Sequence, residues 1–234
     1  LDIFENNIAN PNYFHICCDL TKQESIDIVI TKIKQITETI YAIFNLAGVF
    51  MLETLLEGSS DDLRKIIDIN FFAVHLINKA LFPFLNSDSR IIVFTSEVAR
   101  YSPQPFNGYY SLSKIIVDKY ADILRRELNY VGIKVTKVQS GAIKTNLLNG
   151  VNAQYENTLN NTKFYKKPLI KLKKLMDDEV TKQVDPEVVA KKLVKICIAK
   201  NLKLNYKIKN SFKLSLLNAL PERLQDYIYI KVIK

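Results

Sequence analysis

Arg90-Ile91-Ile92-Val93-Phe94-Thr95 decides the fold. Four consecutive apolar residues, rich in β-branched types, suit a central strand of a parallel sheet, covered on both faces. Working outward, Tyr109 to Tyr130 is predicted helical, with Ile115, Ile116, Tyr120, Ile123, Leu124 and Leu128 on one face and Gly132 ending it. Ile133 to Val138 reads as the next strand. Upstream, Ser59 to Leu85 has a helical pattern, with Ser60 as cap, Asp61 and Asp62 in its first turn, and a stop near Pro83. Ala42 to Leu46 is a buried strand running into Ala47-Gly48. Thr21 to Thr37 carries a helical stripe, with Thr21 and Glu24 spaced as a capping box. Tyr13 to Cys18 reads as a strand ending at Asp19. Toward the C-terminus, Asp185 caps a helix reaching Ala199 with Pro186 at its first position, and Pro221 opens another. Asn149 to Lys174 reads as an irregular, polar and basic insertion suited to a lid.

This alternation predicts an α/β fold, a doubly wound, Rossmann-like parallel sheet with helices on both faces. In such sheets ligands sit beyond the carboxyl ends of the strands. Polar clusters fall at those ends: Asp19, Asn45 to Gly48, Thr95 to Glu97, and Ser140 to Asn146. A ligand site across four strand ends is therefore expected, within one domain spanning 1–234.

Composition excludes several classes. With 48% hydrophobic and 24% charged residues the chain can bury a core, which argues against disorder. Three cysteines without framework spacing point to reduced thiols and a cytoplasmic setting. No Cys-x-x-Cys or paired His occurs, so no metal site is expected. No window of 18 uncharged apolar residues occurs, so no spanning helix is indicated. Net charge is +9, and Lys166, Lys167, Lys171, Lys173 and Lys174 concentrate it. No base-reading motif accompanies them, so nucleic acid is not expected as a partner. A solvated basic face is the plain reading, and contact with an anionic membrane surface is the other.

Tyr110 and Lys114 are four residues apart at the start of a helix, so both point to one face. A phenol has an ordinary pKa of about 10 and is a poor acid or base at neutrality. An ammonium about 4 Å away, at an effective dielectric of 20, is worth about 4 kcal/mol. That would lower the phenol by up to about three pH units. A phenol so tuned can exchange a proton with an alcohol or carbonyl oxygen.

Five elements in order resemble the short-chain dehydrogenase/reductase family. Asn45-Leu46-Ala47-Gly48 resembles its Asn-Asn-Ala-Gly element. Asp68-Ile69-Asn70 resembles the site of its active-site Asn, and Thr95-Ser96 its Ser-Ser pair. Tyr110-Ser111-Leu112-Ser113-Lys114 is similar to its Tyr-x-x-x-Lys signature. Ser140-Gly141-Ala142-Ile143-Lys144-Thr145 resembles its Pro-Gly-x-x-x-Thr loop, with Ser140 for Pro. Cys18-Asp19-Leu20 resembles an element whose acid contacts adenine; ending the strand or capping the next helix is the alternative for Asp19. Ser96 precedes Tyr110 by 14 residues, one more than usual, and Glu97 holds the usual offset.

The resemblance implies an enzyme using NAD or NADP to transfer a hydride to or from a carbonyl or secondary alcohol. It assigns catalysis to Asn70, Ser96, Tyr110 and Lys114. It assigns cofactor contacts to Asp19, Asn45, Ala47, Gly48, Tyr110, Lys114, Gly141 and Thr145. A small-molecule substrate is implied, steroid, retinoid or otherwise lipid-like by the C-terminal Leu217 to Leu224 segment, as is a homo-oligomer. The family's Thr-Gly-x-x-x-Gly-x-Gly loop, which cradles pyrophosphate, does not occur in the sequence. The expectation is an N-terminally incomplete domain lacking its first strand, glycine-rich loop and second strand. The alternatives are a non-catalytic Rossmann-like binding or regulatory protein and an inactive fragment.

Overall fold

The structure is a computed structural model. It describes residues 1–6, 8–145, 150–180 and 183–233, with the backbone alone for 175–180. Four strands form one parallel sheet in sequential order: β1 (Ala42–Asn45), β2 (Arg90–Ser96), β3 (Lys134–Ser140) and β4 (Asn205–Ile208). β2 is the expected central strand, with Ile91, Ile92 and Val93 all buried.

Successive residues of a strand point to opposite faces, and the core divides accordingly. Ile91 and Val93 of β2, with Ile133 and Val135 beside and on β3, pack against three helices: α1 (Gln23–Ile36), α3 (Ala73–Leu81) and α4 (Gly108–Leu128). Ile92, Val138 and Ile208 pack on the other face against Val189, Leu193 and Ile196 of α7 (Pro186–Cys197). The sheet is thus covered on both sides, as a doubly wound fold requires. Arg90 fastens α7 to the sheet. Its guanidinium donates to the carbonyls of Cys197 and of Ala199, at 3.0 Å for Ala199, and lies 4.7 Å from the Tyr41 ring centroid. A cation on the last carbonyls of a helix satisfies groups with no partner inside it.

Several boundaries behave as their chemistry predicts. Asp185 accepts from the Glu187 amide at 2.8 Å and caps α7. Gly132 adopts φ 78° after α4, a left-handed conformation that glycine takes without a Cβ penalty. Others differ. The helix expected from Ser59 to Leu85 is three segments in series: α2 (Ser60–Ile67), a π-helical turn Asp68–Phe72, and α3, followed by a short 3-10 turn to Phe84. Its cap is Ser59, which accepts from the Asp61 amide at 3.2 Å, rather than Ser60. By length and apolar composition, Ser60–Phe84 would suffice to cross a membrane. In the fold it packs against α1 and α4.

The Thr21–Glu24 capping box does not form. Asp19 takes the amide and hydroxyl of Thr21 instead, at 2.9 and 2.6 Å. Tyr13 to Cys18 forms no strand, only an isolated parallel bridge between Asp2 and Cys17. Ile16 and Cys18 nonetheless bury alternately into the core. The apolar alternation is a burial signal, and a ladder also needs pairing over several residues, of which this segment has the one bridge among the described residues. Asn149 to Lys174 is not irregular. From Val151 it holds α5 (Val151–Asn161) and the first part of α6 (Lys166–Val180); Asn149 itself lies outside the described residues. Two further elements had no sequence expectation: β4, and α8 (Phe212–Asn218), which precedes α9 (Glu222–Ile233).

Candidate active site

A cavity of about 830 Å³ opens beyond the carboxyl ends of β1, β2 and β3. Its lining includes Gly48, Thr95, Ser96, Glu97, Tyr110, Lys114, Gly141 and Thr145, with apolar walls from Phe50, Val189, Leu193 and Leu214. The strand-end expectation therefore holds for three of its four clusters. Asn146, at the end of the last cluster, lies outside the described residues.

α4 supplies the central pair. Its first two turns carry Tyr110 and Lys114 on the cavity side. The Lys114 ammonium lies 5.8 Å from the Tyr110 ring centroid, and Phe50 packs on the ring at 4.9 Å between centroids. Lys114 is 6% exposed, and among the described residues its ammonium has the Tyr110 ring as its neighbour and no hydrogen-bond acceptor. Burial alone pushes its pKa down to about 8.

Burial likewise pushes the Tyr110 phenol up to about 12. The Ser96 hydroxyl beside the phenol pulls the other way, and the Glu97 carboxylate adds to the rise. This corrects the expected lowering of the phenol by Lys114. That expectation placed the ammonium at contact distance and left out the cost of desolvating a phenolate. Tyr110 is held neutral, as a proton donor must be.

Asn70 sits in the π-helical turn, a local over-winding that often marks functional sites. Its amide oxygen accepts from the Val49 amide at 2.7 Å; its amide nitrogen donates to the Val49 carbonyl at 3.0 Å and to Ser113 Oγ at 2.8 Å. Ser113 in turn donates to the Tyr110 carbonyl at 2.7 Å. Asn70 thus ties the β1 loop to the first turn of α4 and does not itself line the cavity. Gly48 completes this junction. A Cβ there would lie 3.1 Å from both Asn70 Oδ1 and Lys114 Nζ. Any side chain at this position would have to push Asn70 or Lys114 aside.

Asn45, Ala47 and Asp19 are not among the cavity residues. Asn45 donates to Asn78 Oδ1 at 3.0 Å, inside the helix layer. Asp19 is engaged in its turn, and the two Thr21 hydrogen bonds hold its carboxyl below the usual range. Gly141 packs against the loop after β4: its amide donates to the Ile208 carbonyl at 3.0 Å, and a Cβ would lie 2.4 Å from the Lys209 carbonyl oxygen.

The structure adds roles that the sequence did not assign. Glu97 lines the cavity and accepts from the Ser211 amide at 2.5 Å, fixing the start of α8. Asn107 Oδ1 and the Tyr229 hydroxyl, both at the cavity, are buried with no hydrogen-bond partner among the described residues. Asn107 was accessible as a polar residue just before a helix. Tyr229 carried no such signal, being one of two tyrosines on an amphipathic helix.

A family model described as short chain dehydrogenase matches residues 3–156. The chain belongs to this family. Among its relatives is the uncharacterized oxidoreductase YbbO of Escherichia coli K12, 32% identical over 140 residues, covering 58% of this chain and 52% of that protein. Another is the NADPH-dependent 3-dehydrocapnine reductase of Ornithobacterium rhinotracheale, 27% identical over 235 residues, covering 96% and 82%. A crystal structure of a short chain dehydrogenase family protein from Francisella tularensis superposes with a TM-score of 0.72 at 20% identity, covering 89% of this chain and 84% of that one. It shares the fold. The chain spans about half the length of the first of these relatives.

The residues present fit the nicotinamide-ribose end of NAD or NADP. Lys114 is a buried donor without an acceptor among the described residues, and Gly48 lies directly beside it. The pyrophosphate end has no counterpart among them, since the glycine-rich loop is absent from the sequence.

Proposed function

We propose that the protein transfers a hydride between NAD or NADP and a ketone or secondary alcohol. The observation that carries this reading is one cavity holding a neutral, half-buried Tyr110 beside Ser96, with the ammonium of Lys114, which has no acceptor among the described residues, next to it. The nicotinamide, when bound, supplies or accepts the hydride. Tyr110 donates the proton to the substrate oxygen in the reducing direction, which suits a phenol held near 12. Ser96 hydrogen-bonds the same oxygen and orients it. Lys114 would bind the ribose hydroxyls; their oxygens would give its ammonium the acceptors it lacks. Gly141 and Thr145 would hold the carboxamide end. Asn70 acts as a positioning residue, through Val49 and Ser113.

The apolar walls favour a lipid-like substrate. Asn107 and Tyr229 would meet polar atoms on it, because both are buried there without a partner. The relative named as a 3-dehydrocapnine reductase carries, in that name, the same reaction direction and NADPH. Exposed Leu112 and Ile123 on α4 support a homo-oligomer. Peripheral contact with a membrane and a cytoplasmic setting belong to the same reading; the free cysteines support the latter.

The test is oxidation of NADH or NADPH by the protein across a panel of ketones graded in chain length. Ketone-dependent oxidation that rises with apolar length supports the reading. Cofactor binding without turnover on any ketone would favour the alternative, a non-catalytic nucleotide-binding protein.

A further inference from the structure

Three helices in contact, α6, α8 and α9, expose cations and large apolar side chains together. On α6, Lys167, Ile170, Lys171 and Lys174 fall at i, i+3, i+4 and i+7 and are all exposed, while Leu169 on the opposite side is buried. α9 packs against α6. Its outer stripe is Arg223, Leu224, Tyr227, Ile230 and Lys231, again at helical spacing and again exposed. On α8, Phe212 and Leu216 are 80% and 58% exposed. Residues this large are seldom left in water on three adjacent elements unless something covers them.

We infer that this face docks on an anionic lipid bilayer. The inference rests on the lipid-substrate reading for its purpose but on separate residues for its evidence. Charge complementarity selects the partner. The α6 and α9 stripes carry Lys167, Lys171, Lys174, Arg223 and Lys231 among their apolar residues, and the chain as a whole is at +9. On α9 the exposed acids are Glu222 and Asp226. Helices with cations flanking apolar side chains lie in the headgroup layer, with the apolar groups reaching the acyl boundary. The placement also has a consequence for the site. α8 and α9 wall the cavity from inside through Leu214 and Tyr229 while presenting Phe212, Tyr227 and Ile230 outward. A lipid drawn from the bilayer would therefore meet the cavity wall directly. The N-terminal apolar residues Ile3, Phe4 and Phe14 are also exposed, but they carry no comparable run of cations.

Co-sedimentation with phosphatidylcholine vesicles, with and without phosphatidylserine, tests this without cofactor or substrate, so its failure is separable from failure of the enzymatic reading. The protein should bind the phosphatidylserine vesicles preferentially and dissociate as salt rises. Each lysine near such a surface contributes about fivefold in affinity, so Lys167→Gln/Lys171→Gln/Lys174→Gln should weaken binding about a hundredfold. Tyr227→Ser/Ile230→Ser should weaken it at least about tenfold at unchanged charge. All five positions are exposed, and circular dichroism checks that the variants fold. No binding to phosphatidylserine vesicles, or binding unchanged in the lysine variant, overturns the proposal. So does a dimer of the parent chain that Tyr227→Ser/Ile230→Ser dissociates, which would make the face an interface between copies. Displacement from the vesicles by a short oligonucleotide at equal phosphate would assign the cations to nucleic acid and overturn it too.

Discussion

The first two turns of α4 and the residues before α1 both carry family-like motifs, yet the fold treats them differently. Tyr110 and Lys114 are held from every side: Asn70 through Ser113, Phe50 on the ring, Gly48 beneath the ammonium. Asp19 is held only by its own neighbour Thr21, and the segment before it pairs through a single bridge. A motif residue reaches its site when the elements that flank it are themselves packed and paired. Where a strand has no ladder, the same kind of residue settles for a local hydrogen bond.

The largest expected effect is on the well-held side. Tyr110→Phe removes the proton donor and should lower kcat by about 100- to 10,000-fold, with cofactor affinity, measured by fluorescence titration, close to the parent value. Equal losses in both would make Tyr110 a binding residue and blur the contrast between the two regions.

Lys114→Met should split function from stability. A lysine pKa moved from 10.5 to about 8 corresponds to up to about 3 kcal/mol of destabilisation while the group is charged in the fold. The folded state releases this proton first, so parent stability should rise between about pH 8 and 10.5. In urea titrations the Met variant should be more stable at pH 7 and should lack that rise, while cofactor affinity falls. A variant less stable at pH 7 would mean that Lys114 has an acceptor in solution.

Gly48→Ala tests the same junction with a single methyl. Two contacts at 3.1 Å must open, at a cost of about 1–3 kcal/mol in thermal or urea unfolding, with weaker cofactor binding as Lys114 moves.

The smallest effect is expected on the poorly held side. Asp19→Ala should cost less than about 1 kcal/mol. Because the Thr21 hydrogen bonds lower the Asp19 pKa, its contribution is present above the ordinary aspartate pKa and lost as pH falls through the folded value. Cofactor affinity should not change. A marked loss would show that Asp19 reaches the ligand and that the two regions are less different than described.

The same contrast explains what was legible in the sequence. β2, α4 and α7 announced themselves because their periodicity and caps agree with their tertiary roles: Ile91 to Val93 buried on both faces, Asp185 capping, Gly132 turning. β4 did not, because Asn205-Tyr206-Lys207-Ile208 is a short edge strand with one buried residue. α5 did not, because its asparagines are weak helix formers. It is fixed from outside, by Gln154 bonded to the backbone of Leu52 and Phe50 and Thr158 donating to the Leu52 carbonyl. Tyr110 and Lys114 were legible as a pair, but their protonation was not, because burial set it and spacing does not report burial. Asn70 was read as catalytic, and only its hydrogen bonds to Val49 and Ser113 show it bracing the site.

The central claim is hydride transfer at the cavity of Tyr110 and Lys114. Its most direct test is to incubate the protein with a ketone and NADH or NADPH deuterated at nicotinamide C4, then locate the label in the product by mass spectrometry. Deuterium on the new carbinol carbon, absent with Tyr110→Phe, is the predicted result. Cofactor binding with no label transferred to any ketone would contradict the account.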